Sequence, residues 1–124
     1  AEHPSVSKIF PSLGQLRFLS TLKFIDGILG NSSSGLTEAP SFKIGTINLG
    51  ERQTGRLKAK SVIDSNFEKI KILKSIKTLY SKSFQRNLST VTNPYGSPGA
   101  SKKILRIIKK FPLENAIKKK FYDL

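Results

Sequence analysis

The chain has 124 residues, of which 22 are lysine or arginine and eight are aspartate or glutamate, so its formal net charge is +14. It contains no cysteine, which excludes a disulfide framework and thiol chemistry. No apolar run approaches the ~20 residues that a membrane-spanning helix needs, and the N-terminus lacks a signal-peptide pattern, so we expect a soluble protein.

The positive charge is concentrated in the second part of the sequence. Residues 1–50 carry four basic and three acidic side chains, whereas residues 51–124 carry eighteen and five. A basic region of this size is typical of proteins that bind nucleic acid or an anionic membrane, which is one hypothesis for this chain.

The first predicted element is an amphipathic helix over residues 12–23. Its leucines recur at three-residue spacing, and Ser12 is a suitable N-cap. Phe18 flanks this stripe, so we expect it in the core. The only histidine, His3, precedes the helix in an irregular segment, where a solvated loop residue is the ordinary interpretation.

An apolar run at residues 24–29 predicts a buried strand over residues 25–29, and serines 32–34 follow its terminal turn. Residues 33–42 are expected to form a short helix. The free N–H groups at a helix N-terminus favour an anion, so the serine hydroxyls there predict a phosphate site. Glu38 lies about one turn further on, and its carboxylate suits the hydroxyls of a sugar. The alternative is that the serines only cap a helix and that Glu38 is a solvated acid.

Residues 44–49 and 61–64 predict two further short strands, the second containing Val62 and Ile63. Strand, helix and strand in so short a space indicate a parallel βαβ unit and an α/β fold. Ligands bind parallel sheets at the carboxyl ends of the strands, so we expect Ser32 and Arg52, which both follow strand ends, to converge. The alternative is that Arg52 belongs to a basic surface loop with Arg56, Lys58 and Lys60.

The remaining chain is predicted to be helical. The longest helix covers residues 65–81, with Ser65 and Glu68 as a capping box and an apolar stripe that ends at Tyr80. One more turn is expected at residues 84–88. A turn-rich break at residues 93–99 then precedes two helices, at residues 102–111 and 113–121, which are separated by Pro112.

Four stretches of this sequence resemble one family over nearly the whole chain. They are SLGQLRFLSTLKFIDGILGN, GNSSSGLTEAPSFKIGTINLGERQTGRLKAKSVID, NPYGSPGASKKI and KKKFYDL. The resemblance is to the C-terminal domain of the hydrolysing UDP-N-acetylglucosamine 2-epimerases of the bacterial sialic-acid pathway type. Members of that family are much longer than this chain.

The resemblance implies a parallel-sheet, Rossmann-like half-domain of a glycosyltransferase-B-type fold, in which two nucleotide-binding-type domains face each other across a cleft. Residues 1–111 would be a portion of the C-terminal nucleotide-binding domain, and residues 112–124 would form a C-terminal crossover helix. The implied partners are UDP or UDP-N-acetylglucosamine and the N-terminal domain of the same enzyme. A cytoplasmic homo-oligomer without a metal or a cofactor is expected.

The resemblance also implies a role in UDP binding for a set of residues in this chain. Ser32 and Ser33 would hold the diphosphate, Glu38 the ribose hydroxyls, and Arg52 would offset charge developing on the leaving UDP. Phe18 would lie beside the uracil. The full set implied to bind UDP is Phe18, Ser32, Ser33, Ser34, Gly35, Glu38 and Arg52. No catalytic residue is expected here, because the family's acids and bases belong to sequence that this chain lacks.

Two classes of function follow from the sequence. The first is the UDP-binding portion of a hydrolysing epimerase, which converts UDP-N-acetylglucosamine and water to N-acetylmannosamine and UDP, with a UDP-diacetamido-trideoxy sugar as the near alternative substrate. The second is a basic helical protein that binds nucleic acid or a membrane. Against the second, the lysines are spread around several helices and no aromatic residues alternate with them.

Overall fold

The computed structural model describes residues 5–112 and contains one parallel sheet with helices on both faces. The sheet has the order β1-β2-β3, with β1 at Gly27–Gly30, β2 at Gly45–Leu49 and β3 at Val62–Ser65. The helices are α1 (Gly14–Thr21), α2 (Ser34–Thr37), a 3-10 turn (Ala39–Phe42), α3 (Lys69–Leu79), α4 (Lys82–Leu88) and α5 (Ala100–Lys110). The predicted α/β fold with a parallel sheet is therefore confirmed.

Strand β2 is the centre of the sheet. It pairs in parallel with β1 and with β3, and its first four residues are buried. Successive side chains of a strand point to opposite faces. Thr46 accordingly contacts α2, where its hydroxyl donates to the carbonyl of Gly35 at 2.9 Å, while Gly45 lies against Leu79 of α3. The central strand is thus covered on both sides, as is usual for parallel strands.

The core on the α1 side of the sheet is built around Leu22, Ala39 and Ile44. Phe18 packs against this cluster and is only partly buried, so it belongs to the core as expected and also keeps an accessible edge. The first strand was predicted over residues 25–29 from the apolar run at residues 24–29, but β1 starts at Gly27, and Phe24 is 87% exposed in the turn that follows α1. Strand β1 therefore begins later than the apolar run suggested.

The prediction of a single helix over residues 65–81 is wrong at both ends. Ser65 ends β3, where its carbonyl accepts the N–H of Gly50 at 2.8 Å, so it does not form the predicted capping box with Glu68. Asn66 instead forms a turn just before the helix, in which its Oδ1 accepts the Glu68 N–H at 3.1 Å, and no side chain in residues 5–112 caps the helix itself. The helix then ends at Leu79, and Ser81 caps a separate helix by accepting the N–H of Phe84 at 3.3 Å.

Helix α5 begins directly after Gly99, and its residue range agrees closely with the helix predicted over residues 102–111. Its apolar side chains are all more than half exposed, namely Ile104, Leu105, Ile107, Ile108 and the adjoining Phe111. No helix in residues 5–112 is long and apolar enough to cross a bilayer. His3 and the helix predicted at residues 113–121 lie outside the described residues.

Candidate functional site

Two loops meet at the carboxyl edge of the sheet. The serine loop (residues 31–34) follows β1, and the arginine loop (residues 50–57) follows β2, whose last residues pair with the end of β1. The side-chain amide of Gln53 donates from Nε2 to the backbone carbonyl of Asn31 at 2.7 Å, which joins the two loops directly. This is the edge at which parallel sheets bind their ligands.

A groove of about 420 Å³ opens between α1 and the serine loop. Three of the residues that the sequence nominated for nucleotide binding line it together: Phe18, Ser32 and Ser34. Ser12 and Gln15 line the same groove but were missed as site residues. Gln15 could have been found, because it precedes Phe18 by three positions and so shares its face of the helix.

The serine loop does not lead into the continuous helix predicted over residues 33–42. Helix α2 has only four residues, and a 3-10 turn containing Pro40 follows it, because proline has no N–H to continue an α-helical ladder. A four-residue turn aligns few peptide dipoles, so the donors available to an anion are hydroxyls and single N–H groups. Ser33 makes no side-chain cap bond, while Ser32 Oγ accepts the Ser34 N–H at 3.3 Å.

Glu38 lies at the junction between α2 and the 3-10 turn and is partly buried. One of its carboxylate oxygens, Oε2, and the Ser33 carbonyl, at 3.0 Å, both lie within hydrogen-bond reach of the Thr37 hydroxyl, which has one hydrogen to donate. The threonine hydroxyl therefore lies beside the Glu38 carboxylate. Neither Glu38 nor Gly35, Ser33 or Arg52 lines the groove between α1 and the serine loop.

Gly35 lies where α2 crosses β2 most closely. A Cβ atom built at this position would overlap the Thr46 side-chain methyl group and would lie 3.2 Å from the Thr46 hydroxyl. The threonine hydroxyl donates to the Gly35 carbonyl, so the contact is both packed and hydrogen-bonded. Glycine is thus required for space, and the sheet fixes the start of α2 relative to the serine loop.

Arg52 is exposed in the arginine loop, beside the buried Gln53. Within residues 5–112 the one ion pair joins Lys58 and Asp64, so no carboxylate in that range neutralises the Arg52 guanidinium. The same range contains no cluster of three histidine, cysteine, aspartate or glutamate side chains that could hold a metal ion.

Lys58 belongs to the basic surface loop of the alternative interpretation of Arg52, and the structure gives it a specific partner. Its Nζ lies 2.8 Å from both oxygens of Asp64, whose Oδ1 also accepts the amide of Asn48 at 2.8 Å. Partial burial alone would raise the pKa of the Asp64 carboxyl. The hydrogen bonds from Lys58 and Asn48 and the charge of Lys58 outweigh burial and hold that pKa below its ordinary value.

The lowered pKa of Asp64 predicts a loss of stability in acid. The carboxylate favours the folded state above its unfolded pKa of about 3.9, and the contribution disappears as pH falls through the lower folded pKa. In urea titrations between about pH 6 and pH 2.5, Lys58→Met should lose less stability than wild type on acidification, by under ~1 kcal/mol because Asp64 is more than half exposed. Lys60→Met is the control for the loss of one positive charge alone. If the free energy of unfolding falls equally with pH in all three proteins, the prediction is contradicted.

The turn at residues 93–96 forms hydrogen bonds with the segment around Glu38 and with the end of the arginine loop. The Asn93 amide donates from Nδ2 to the carbonyl of Thr37 at 2.8 Å and to the hydroxyl of Ser41 at 2.7 Å. The hydroxyl of Tyr95 donates to the carbonyl of Leu57 at 3.0 Å. The turn therefore ties the segment that contains Glu38 to the end of the arginine loop.

Replacing Tyr95 with phenylalanine should lower the free energy of unfolding by about 1 kcal/mol, because one neutral hydrogen bond is lost while the ring is kept. Tyr80→Phe is the matched control, since it also removes one hydrogen bond of an exposed tyrosine hydroxyl, which donates to the Asp26 carboxylate at 3.2 Å. Urea denaturation of the two variants measures the difference. A larger loss in Tyr80→Phe than in Tyr95→Phe would show that the bond to Leu57 contributes little.

The fold and the paired loops define a Rossmann-like α/β half-domain, with polar loops gathered at the carboxyl ends of adjacent parallel strands. The family model described as UDP-N-acetylglucosamine 2-epimerase matches residues 1–109. The chain belongs to this family of epimerases, as its sequence motifs indicated.

Curated relatives agree with the family assignment. The chain is 42% identical over 108 residues to the Escherichia coli "Polysialic acid biosynthesis protein P7", covering 86% of this chain and 28% of that protein. It is 38% identical over 119 residues to the Campylobacter jejuni "GDP/UDP-N,N'-diacetylbacillosamine 2-epimerase (hydrolyzing)", covering 95% of this chain and 30% of that protein. A Neisseria meningitidis "UDP-N-acetylglucosamine 2-epimerase" is 39% identical over 67 residues, which is 54% of this chain and 18% of that protein. The chain thus spans less than a third of the length of these relatives.

Proposed function

We propose that this chain forms the UDP-binding part of a hydrolysing UDP-sugar 2-epimerase. The observation that carries the proposal is the groove that Phe18 lines together with Ser32 and Ser34. An aromatic surface beside a set of hydrogen-bond donors suits a nucleotide, because a base can stack on the ring while its phosphates accept bonds from the hydroxyls. Membership of the epimerase family makes UDP the expected nucleotide.

The diphosphate would lie along the serine loop. Ser32, Ser33 and Ser34 offer three hydroxyls, and Gly35 allows α2 to approach the sheet closely enough to hold them there. Hydrogen bonds from neutral donors to a charged phosphate are stronger than bonds between neutral groups. Phe18 would contact the uracil at the other end of the groove, with Gln15 beside it.

Glu38 and Arg52 would serve the ribose and the leaving group. The Glu38 carboxylate, with the Thr37 hydroxyl beside it, can accept hydrogen bonds from two ribose hydroxyls. When the bond between the sugar and the diphosphate breaks, negative charge develops on UDP, and a guanidinium without a carboxylate partner in residues 5–112 can stabilise it. The reaction eliminates UDP to leave a glycal and then adds water to give N-acetylmannosamine.

Two sugar nucleotides are candidates for the substrate. UDP-N-acetylglucosamine is our first choice, in a pathway to sialic acid or a related nonulosonic acid in the cytoplasm. A UDP-diacetamido-trideoxy sugar is the near alternative, and the Campylobacter jejuni relative, whose name contains N,N'-diacetylbacillosamine, favours it. We also propose that the complete enzyme is a homo-oligomer, and that most sugar contacts come from its N-terminal domain.

The 124-residue chain alone should release no UDP from UDP-N-acetylglucosamine. Elimination requires a positioned base and a positioned acid, and we assign Glu38 to the ribose and proton transfer to residues outside this chain. Incubation of the purified chain with the sugar nucleotide, followed by chromatographic detection of UDP, is the measurement. Release above that of a Glu38→Ala variant would contradict this division of roles.

Calorimetric titration of UDP into the protein expressed from its complete gene tests the binding role. We expect UDP to bind, and Phe18→Leu to weaken binding about tenfold through loss of the stacked ring. Phe24→Leu is the matched control, because Phe24 is exposed outside the groove. The competing hypothesis predicts instead salt-dependent affinity for random DNA or for anionic vesicles and no binding of UDP.

A further inference from the structure

Gln53 is the one buried side chain in an exposed loop. Residues 51–57 are exposed apart from Gln53, which retains 2% of its accessible surface. The loop's own backbone bonds, from Thr54 N–H to Glu51 at 2.9 Å and from Arg56 N–H to Gln53 at 3.3 Å, only shape its turns. Something other than local turn geometry therefore accounts for the burial of this amide.

The amide of Gln53 is aimed at the serine loop. Its Nε2 donates to the Asn31 carbonyl at 2.7 Å, while its Oε1 is buried and has no hydrogen-bond partner within residues 5–112. A buried acceptor without a partner lowers the stability of the folded state. A contribution to stability therefore does not by itself explain why a glutamine is buried here. An apolar side chain of similar shape would avoid that cost but could not hold Asn31.

We propose that Gln53 is a positioning residue, which locks the arginine loop onto the serine loop so that Arg52 and the hydroxyls of the serine loop meet the same diphosphate. Arg52 precedes Gln53 and Ser32 follows Asn31, so this hydrogen bond links the two loops beyond the paired ends of β1 and β2, directly beside both ligand-binding groups. This inference rests on the proposed function, because it assigns Gln53 to the same UDP site. Small errors in such spacing weaken a charge-assisted contact strongly.

Two substitutions at residue 53 separate positioning from packing. Gln53→Leu removes the donor and the unpartnered acceptor together, so stability should change little while affinity for UDP falls about tenfold. Gln53→Glu keeps the shape but places a carboxylate against the Asn31 carbonyl at neutral pH. Gln85→Leu is the matched control, since it removes an equivalent bond, from Nε2 to the Leu79 carbonyl at 2.6 Å, far from the groove.

Acidification should rescue Gln53→Glu specifically. A protonated carboxyl can donate to the Asn31 carbonyl, and burial together with that bond raises the pKa of the introduced glutamate. We expect its UDP affinity relative to wild type to recover several-fold between about pH 8 and pH 5.5. Wild type and Gln53→Leu, titrated over the same range, report the protonation of UDP itself. A merely structural glutamine would give no recovery unique to the glutamate variant.

Hydrogen exchange without ligand tests, independently of UDP, whether the Gln53 hydrogen bond holds the two loops together. Gln53→Leu should accelerate exchange in both the serine and arginine loops, whereas Gln85→Leu should not. Unchanged exchange and unchanged UDP affinity in Gln53→Leu would overturn the inference while leaving the proposed function intact. Failure of wild type to bind UDP would overturn the proposed function and the ligand-positioning role with it. Exchange would then still show whether the two loops are locked together.

Discussion

Replacing Gly35 with alanine should destabilise the folded protein by about 1–3 kcal/mol. The added Cβ overlaps the methyl group of Thr46, a side chain that is 1% exposed in the central strand and cannot move aside. Helix α2 must shift away from the sheet, which also stretches the bond from the Thr46 hydroxyl to the Gly35 carbonyl. Alanine's better helix propensity offsets only a fraction of this cost.

A second substitution makes the Gly35 prediction specific. Thr46→Ser removes the methyl group and keeps the hydroxyl, so Gly35→Ala should be better tolerated in that background by roughly 1 kcal/mol or more. Urea denaturation of wild type, both single variants and the double variant completes the cycle. Additive losses would mean that the overlap with Thr46 is not what excludes a side chain at position 35.

The strands could be predicted from sequence because apolar runs report burial directly. Residues 44–49 were expected to be a strand, and β2 occupies Gly45–Leu49 because it is paired on both sides. The start of β1 could not be predicted in the same way. Phe24 is as apolar as its neighbours, and only the turn at the end of α1 leaves it in solvent.

Helix boundaries were harder to predict because competing polar bonds decide them. Ser65 and Glu68 have the spacing of a capping box, but pairing of Ser65 with Gly50 in the sheet prevails. An apolar stripe continues past Leu79, and Ser81 nevertheless starts a new helix by capping it. A stripe records which face is buried, so it does not mark where one helix stops and another begins.

The groove could be predicted in part. Ser32 and Ser34 were nominated from their positions after a strand, and Phe18 was implied by the family resemblance; these three residues do line one groove. The contacts that hold the site together could not be predicted. Gln53 reaches Asn31 and Asn93 reaches Thr37 across 22 and 56 positions, and polar pairs so distant in sequence leave no periodic signal.

Replacing Glu38 with alanine should weaken UDP binding by about 1.5–3 kcal/mol, because a charged acceptor for two ribose hydroxyls is lost. Ser33→Ala should cost less, about 1 kcal/mol, since it removes one hydroxyl and leaves the backbone donors in place. Glu38 is only partly buried at the end of α2, so the alanine variant removes the acceptor without removing a core side chain.

The ribose provides the decisive comparison for Glu38. The wild-type protein expressed from its complete gene should prefer UDP to 2′-deoxy-UDP, whereas Glu38→Ala should bind the two almost equally, because the group that senses the 2′-hydroxyl is absent. Glu51→Ala is the matched control, since it removes one acidic side chain from the exposed arginine loop and should keep the preference for ribose. Calorimetric titration of both nucleotides into each protein measures the preference. If Glu38→Ala retains the wild-type preference, the carboxylate is a surface acid, and recognition of the ribose belongs to another residue.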